Sequence, residues 1–153
     1  MLEAVPKNIF ANGFFLQERD VLLGEIDSSF WREKAQLEIE RVTYLLYREG
    51  YFSGAFVLER DGTVVARALK PSAIYNTFEV EVPNSRHLVL RKLSVMSRRF
   101  GLFDSEAQIG TIYPLHAFTR RTHIDLPADL PLPVKIFLFW LVFIIWNREQ
   151  AAS

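Results

Sequence analysis

The chain has 153 residues, half of them apolar, which is enough for one domain with a sizeable buried core. Eighteen Lys and Arg balance eighteen Asp and Glu, which argues against a nucleic-acid-binding domain with its domain-wide basic surface. The absence of cysteine excludes disulfides, thiol nucleophiles, iron–sulfur clusters and Cys-ligated zinc.

From the N-terminus, "MLEAVPKNIFANGFF" has neither a basic leader nor a sustained apolar run, so it does not read as a signal peptide, and the expected location is cytoplasmic. Short strands are then predicted at Phe14–Glu18 and Val21–Ile26. In "KAQLEIERV", Ala35, Leu37 and Ile39 alternate with Gln36, Glu38 and Glu40. Such period-two alternation puts one strand face on a core and the other in water. Further strands are predicted at Val42–Arg48, Ala55–Arg60 and Val64–Ala68. "FEVEV" repeats the alternation, with Phe78, Val80 and Val82 against Glu79 and Glu81. His87–Val95, Arg99–Phe103, Gln108–Tyr113 and Thr122–Asp125 complete about eleven strands at even spacing, the pattern of a sandwich or barrel.

Three of the predicted hairpins look alike: Phe15–Ile26, Phe56–Ala68 and Phe100–Ile112. Each runs from Phe through a short strand to an Asp turn, and each second strand carries a small residue: Gly24, Ala66 or Gly110. A small residue inside a strand lets something else come close. The expected neighbour is a central helix, which these three residues would face.

The chain ends on "DLPLPVKIFLFWLVFIIWNREQ", in which Ile136–Trp146 is uninterrupted apolar sequence. A bilayer span needs about 20 such residues, so this run of eleven, interrupted upstream by Lys135 and Pro133, reads as a core helix in preference to a membrane anchor. Asp129 or the prolines would start it, and Arg148 would close it where a cation suits the helix dipole. Apolar on all sides, it must be surrounded. The whole chain is therefore expected as one domain, 1–153, with the helix at about 132–147 and a short polar tail at 148–153.

Taken in order, the Asp61-Gly62 hairpin, "ARALKPS" at Ala66–Ser72, Gly110 and Ile112 in one strand, "IDLP" at Ile124–Pro127 and the apolar last helix resemble the tubby C-terminal-like superfamily. That group includes tubby proteins, phospholipid scramblases and LURP-one-related proteins, and the likeness is greatest to its small uncharacterised bacterial members. It covers nearly the whole chain. It implies a mainly β fold, a closed antiparallel barrel of about 12 strands around a central hydrophobic C-terminal helix. The chain departs from the scramblase pattern in lacking an acidic calcium-binding segment before the last helix and a cysteine to palmitoylate. The tubby phosphoinositide residues have no position-by-position match here.

Enzyme signatures are missing: there is no G-x-S-x-G elbow, phosphate loop or H-E-x-x-H. No cofactor or metal is expected, since His123 with Asp125 reads as structural and the paired carboxylates Glu38/Glu40 and Glu79/Glu81 as a solvated face. The surface feature singled out is basic. Ser85–Arg99 holds Arg86, Arg91, Lys92, Arg98 and Arg99 with no acid, and Arg120 and Arg121 follow. Guanidinium forks suit phosphates, whereas the bland reading is a soluble sheet edge. The expected function is a non-enzymatic module binding anionic phospholipid headgroups, peripheral to the inner membrane; the alternative is a structural or protein-interaction scaffold without a small ligand. One asymmetry accompanies it: residues 1–82 hold 9 basic and 13 acidic side chains, residues 83–153 hold 9 and 5.

Overall fold

Alternating apolar and polar residues become the two faces of a single closed sheet. The computed structural model describes the chain except for residues 9–11, 30–32, 51–53, 72–75, 83, 85, 117–118 and 153. Ser72 and Ser85, the end residues of two stretches singled out above, lie outside the described residues. The strands are β1 (Leu2–Pro6), β2 (Gly13–Glu18), β3 (Val21–Ser29), β4 (Lys34–Ile39), β5 (Val42–Arg48) and β6 (Phe56–Arg60). They continue as β7 (Thr63–Leu69), β8 (Thr77–Val82), β9 (Arg86–Lys92), β10 (Phe100–Asp104), β11 (Ala107–Pro114) and β12 (Thr122–Asp125). Each pairs antiparallel with its neighbours in sequence, and β1 closes the barrel on β12 through Leu2 opposite Ile124. Closure removes the exposed edges that an open sheet must protect.

The helix α1 (Leu132–Ala152) fills the barrel. Val134 and every residue from Ile136 to Trp146 are buried, Trp140 to 1% exposure. The inward strand residues meet it edge-on: the Phe14 ring lies 4.9 Å from both Phe139 and Phe143, and Phe56 lies 5.9 Å from Trp140, all near-perpendicular. The outer wall carries Gln36, Glu38, Glu79 and Glu81, the reverse of the apolar-out pattern of a lipid-facing barrel. No described helix is long and apolar enough to cross a membrane.

Prolines start α1: the Lys135 N–H donates to the Pro131 carbonyl at 3.1 Å, and Pro133 sits in the first turn, where no N–H is needed. Asp129 turns outward to Arg86 instead. The helix does not stop near Arg148. Residues 148–152, expected as a tail, continue it, because Arg148, Glu149 and Gln150 find partners on the barrel rim and the two alanines after them are strong helix formers.

The three similar hairpins share one construction. Leu16 faces Gly24, Leu58 faces Ala66 and Leu102 faces Gly110, and immediately beyond each pair the register slips by one residue. The extra residues, Leu23, Val65 and Ile109, are β-bulges whose side chains pack against the core. For the two glycines the neighbour is a strand and not the expected helix, whereas Ala66 is buried in the core that α1 fills. A Cβ on Gly24 would stand 2.8 Å from the Glu38 carbonyl oxygen, and one on Gly110 would stand 2.8 Å from that of Asp125. The end of the following strand, β4 or β12, excludes the side chain there, not the helix.

Candidate functional site

Antiparallel order sends alternate connections to opposite ends of the barrel. Four tight turns, at 19–20, 40–41, 61–62 and 105–106, lie at the end where α1 begins, as does Asn84 between β8 and β9. The described residues of the longer connections, within 7–12, 30–33, 49–55, 70–76, 93–99 and 115–121, lie at the end where α1 finishes. Contacts from Asn76, Lys92, Arg98 and Arg120 to the last two turns of α1 fix that assignment.

Charge divides between these rims. Among the described residues of the long connections, the strand termini beside them and the end of α1 are ten cations. The first half of the chain contributes Lys7, Lys34, Arg48 and Lys70; the second contributes Lys92, Arg98, Arg99, Arg120, Arg121 and Arg148. Against these ten stand three acids, Glu33, Glu49 and Glu149. The tight-turn rim, taken the same way with the first turn of α1, has eight acids against five cations. Its acids include Glu18, Asp20, Glu40, Asp61, Asp104 and Glu106. The helix macrodipole runs to suit, its negative end in the basic rim and its positive end in the acidic one.

Local chemistry orders the basic rim. The Trp146 indole N–H donates to the Arg98 carbonyl at 3.0 Å, and the Arg98 guanidinium stacks 4.8 Å over the Trp146 ring. Burial pushes Arg98 below the ordinary arginine range, Glu149 opposing this and Arg120 adding to it. Arg99 stacks 4.4 Å over Tyr113, and Arg120 donates to Gln150 at 3.1 Å. Between α1 and the connections 93–99 and 115–121 lies a cleft of about 420 Å³ lined by Arg98, Thr119, Arg120, Phe143 and Trp146 among others. Guanidinium forks over an aromatic floor suit a phosphate or a carboxylate. Elsewhere on the rim, Arg48 and Arg148 share the Glu33 carboxylate, at 3.5 and 3.0 Å, and both lie over Phe56. Lys70 is held below the usual lysine range, first by burial and then by Arg148 and Arg48.

Of the seven residues singled out in the sequence, Lys92, Arg98, Arg99, Arg120 and Arg121 meet on this rim. Lys92 donates to Glu149 at 2.7 Å, and Arg121 pairs with Glu3, which raises it above the ordinary arginine value. Arg91 sits one residue short of the rim, its guanidinium 4.0 Å from the Phe103 ring centre. Arg86 does not join them. It opens β9 at the acidic rim, between Asp129 at 2.8 Å and Asp104 at 3.3 Å. Seven extended residues span about 23 Å, so the two ends of β9 serve opposite rims. Sequence reading missed Lys7, Lys34, Arg48, Lys70 and Arg148, which sorting the connections by parity recovers. His123 stacks on Tyr113 at 5.2 Å, and no group of three metal-ligating side chains occurs among the described residues. No protein-family model matches the chain, and neither does any curated protein or solved structure.

Proposed function

We propose that the chain is a non-enzymatic binding module whose basic rim holds the anionic phospholipid surface of the inner membrane from the cytoplasmic side. The observation that carries this reading is the excess of cations, ten against three acids among the described residues of the connections and strand ends around the end of α1, opposite a rim of the other sign. The sequence resemblance to tubby-like barrels points the same way. Each basic residue near an anionic surface contributes about 1 kcal/mol, so four acting together give roughly millimolar to micromolar affinity once association costs are subtracted. Attraction of this kind decays over a Debye length of about 8 Å at physiological salt. Among the described residues Lys34 and Arg99 have no carboxylate partner, so they serve as probes that leave the ion pairs of the fold intact. Sedimentation with phosphatidylserine-containing and pure phosphatidylcholine vesicles tests the reading. Binding is expected for the anionic vesicles only, weakening steeply with salt and on Lys34→Glu with Arg99→Glu. Equal binding to both vesicle types, or to neither, overturns the reading and leaves a protein-interaction scaffold.

A further inference from the structure

The sequence predicts strand through Val95, but β9 ends at Lys92. Beyond it the chain leaves the barrel in a closed turn. The Leu93 N–H donates to the Arg99 carbonyl at 2.9 Å, the Ser97 N–H to the Ser94 carbonyl at 3.2 Å, and the Arg99 N–H to the Ser97 hydroxyl at 2.9 Å. Leu93 anchors the base of the turn over Gly101, where a Cβ would come within 2.6 Å of its side chain. At the tip stand Val95 and Met96, 88% and 94% exposed, the two most exposed large apolar side chains among the described residues. They contribute nothing to the core. They project from the rim where cations outnumber acids, immediately before Arg98 and Arg99. The neighbouring connection around the rim begins with Leu115, also exposed.

Two adjacent apolar side chains held in water on a hydrogen-bonded turn, followed in the same connection by Arg98 and Arg99 on a basic rim, match the cross-section of an anionic bilayer surface: phosphates outside, hydrocarbon within. We infer that the β9–β10 connection is a membrane wedge, with Val95 and Met96 entering between the headgroups while Arg98 and Arg99 meet the phosphates around them. The inference rests on the membrane-binding reading above and adds to it a docking pose, with the helix C-terminus toward the bilayer and the tight turns away from it. The preformed turn lowers the ordering cost of insertion. Only charge complementarity selects lipid as the occupant, since a protein groove for the same apolar tip has no need of a basic surround.

The absence of cysteine makes the test clean, because Met96→Cys accepts a single environment-sensitive fluorophore. With vesicles of phosphatidylserine in phosphatidylcholine, the label at position 96 is expected to shift to the blue and to be quenched by nitroxide lipids. The same label at Leu22→Cys, on the acidic rim, is expected to stay in water. Val95→Ser with Met96→Ser is expected to weaken vesicle binding about 10-fold without moving the thermal midpoint, since these side chains are almost wholly exposed in the fold. Val21→Ser with Leu22→Ser, a pair 60% and 59% exposed at the opposite rim, is expected to leave binding unchanged. Anionic-vesicle binding with the position-96 label still in water and the Val95/Met96 variant at full affinity overturns the wedge while leaving electrostatic docking in place. No binding by the unmodified chain overturns both.

Discussion

Adding one carbon at Gly24 or Gly110 tests how the repeated hairpins are built. Neither glycine has a positive φ, so alanine meets no conformational barrier, and the effect is one of space alone. At Gly24 the new Cβ would lie 2.8 Å from the Glu38 carbonyl oxygen and 3.0 Å from Ile39 Cγ1. At Gly110 it would lie 2.8 Å from the Asp125 carbonyl oxygen and 3.3 Å from the Leu126 Cα. Ordinary contact begins about half an ångström further out, and at each site a backbone carbonyl oxygen is among the atoms met, so the end of β4 or β12 must shift and not merely a side chain. Overpacking of this kind costs ~1–3 kcal/mol, offset by up to ~1 kcal/mol from the less flexible unfolded chain. The expected net loss for Gly24→Ala or Gly110→Ala is ~1–2 kcal/mol, a fall of roughly 2–8 °C in a domain of this size. Ala66 is the internal control, since the matching site of the middle hairpin already holds a methyl group at 2% exposure. Ala66→Gly is expected to cost ~1 kcal/mol through backbone flexibility and an unfilled space. Thermal and urea unfolding of the three variants decides the matter. Gly24→Ala and Gly110→Ala at or above the parent midpoint would refute close strand approach as the reason for these glycines.

Three further outcomes follow from the same structure. The β4–β5 turn holds Glu40 and Arg41 at φ 49° and 66°, so Arg41→Gly is expected to stabilise by ~0.5–1 kcal/mol in chemical denaturation. Phe139→Asp places an unpaired carboxylate at 1% exposure inside the barrel and is expected to abolish cooperative unfolding in circular dichroism. Lys70 carries a depressed pKa, so its protonated form disfavours the fold, and stability rises with pH between its folded value and the ordinary 10.5. Lys70→Met is therefore expected to unfold at a higher temperature than the parent at pH 7, with the gap narrowing toward pH 10, while anionic-vesicle binding falls.

Most of the wall was legible because strands that are half buried must alternate, and Val42–Arg48 and Thr122–Asp125 coincide with β5 and β12. The helix was legible because eleven consecutive apolar residues have few other places to go. β1 was not found: it sends only Leu2 and Ala4 inward before Pro6, too few for a period to register. The end of β9 was misplaced because Val95 looks like a strand residue, whereas Ser94 and Ser97 turn the chain. The charge pattern does not follow the two halves of the chain. Dividing the chain at residue 82 separates −4 from +4. A barrel of antiparallel strands sorts residues by alternate connections, which is why Lys7 joins Arg148 and why Arg86, six residues from Lys92, faces the other way.

Hydrogen exchange on the intact chain, with and without phosphatidylserine-containing vesicles, reads the membrane-facing rim directly. New protection is expected in the connections 93–99 and 115–121 and in the last turn of α1. The tight turns at 19–20, 40–41, 61–62 and 105–106 are expected to exchange at unchanged rates. Protection concentrated at those tight turns, or no change anywhere at vesicle concentrations that sediment the protein, would contradict the assignment of the basic rim as the docking face.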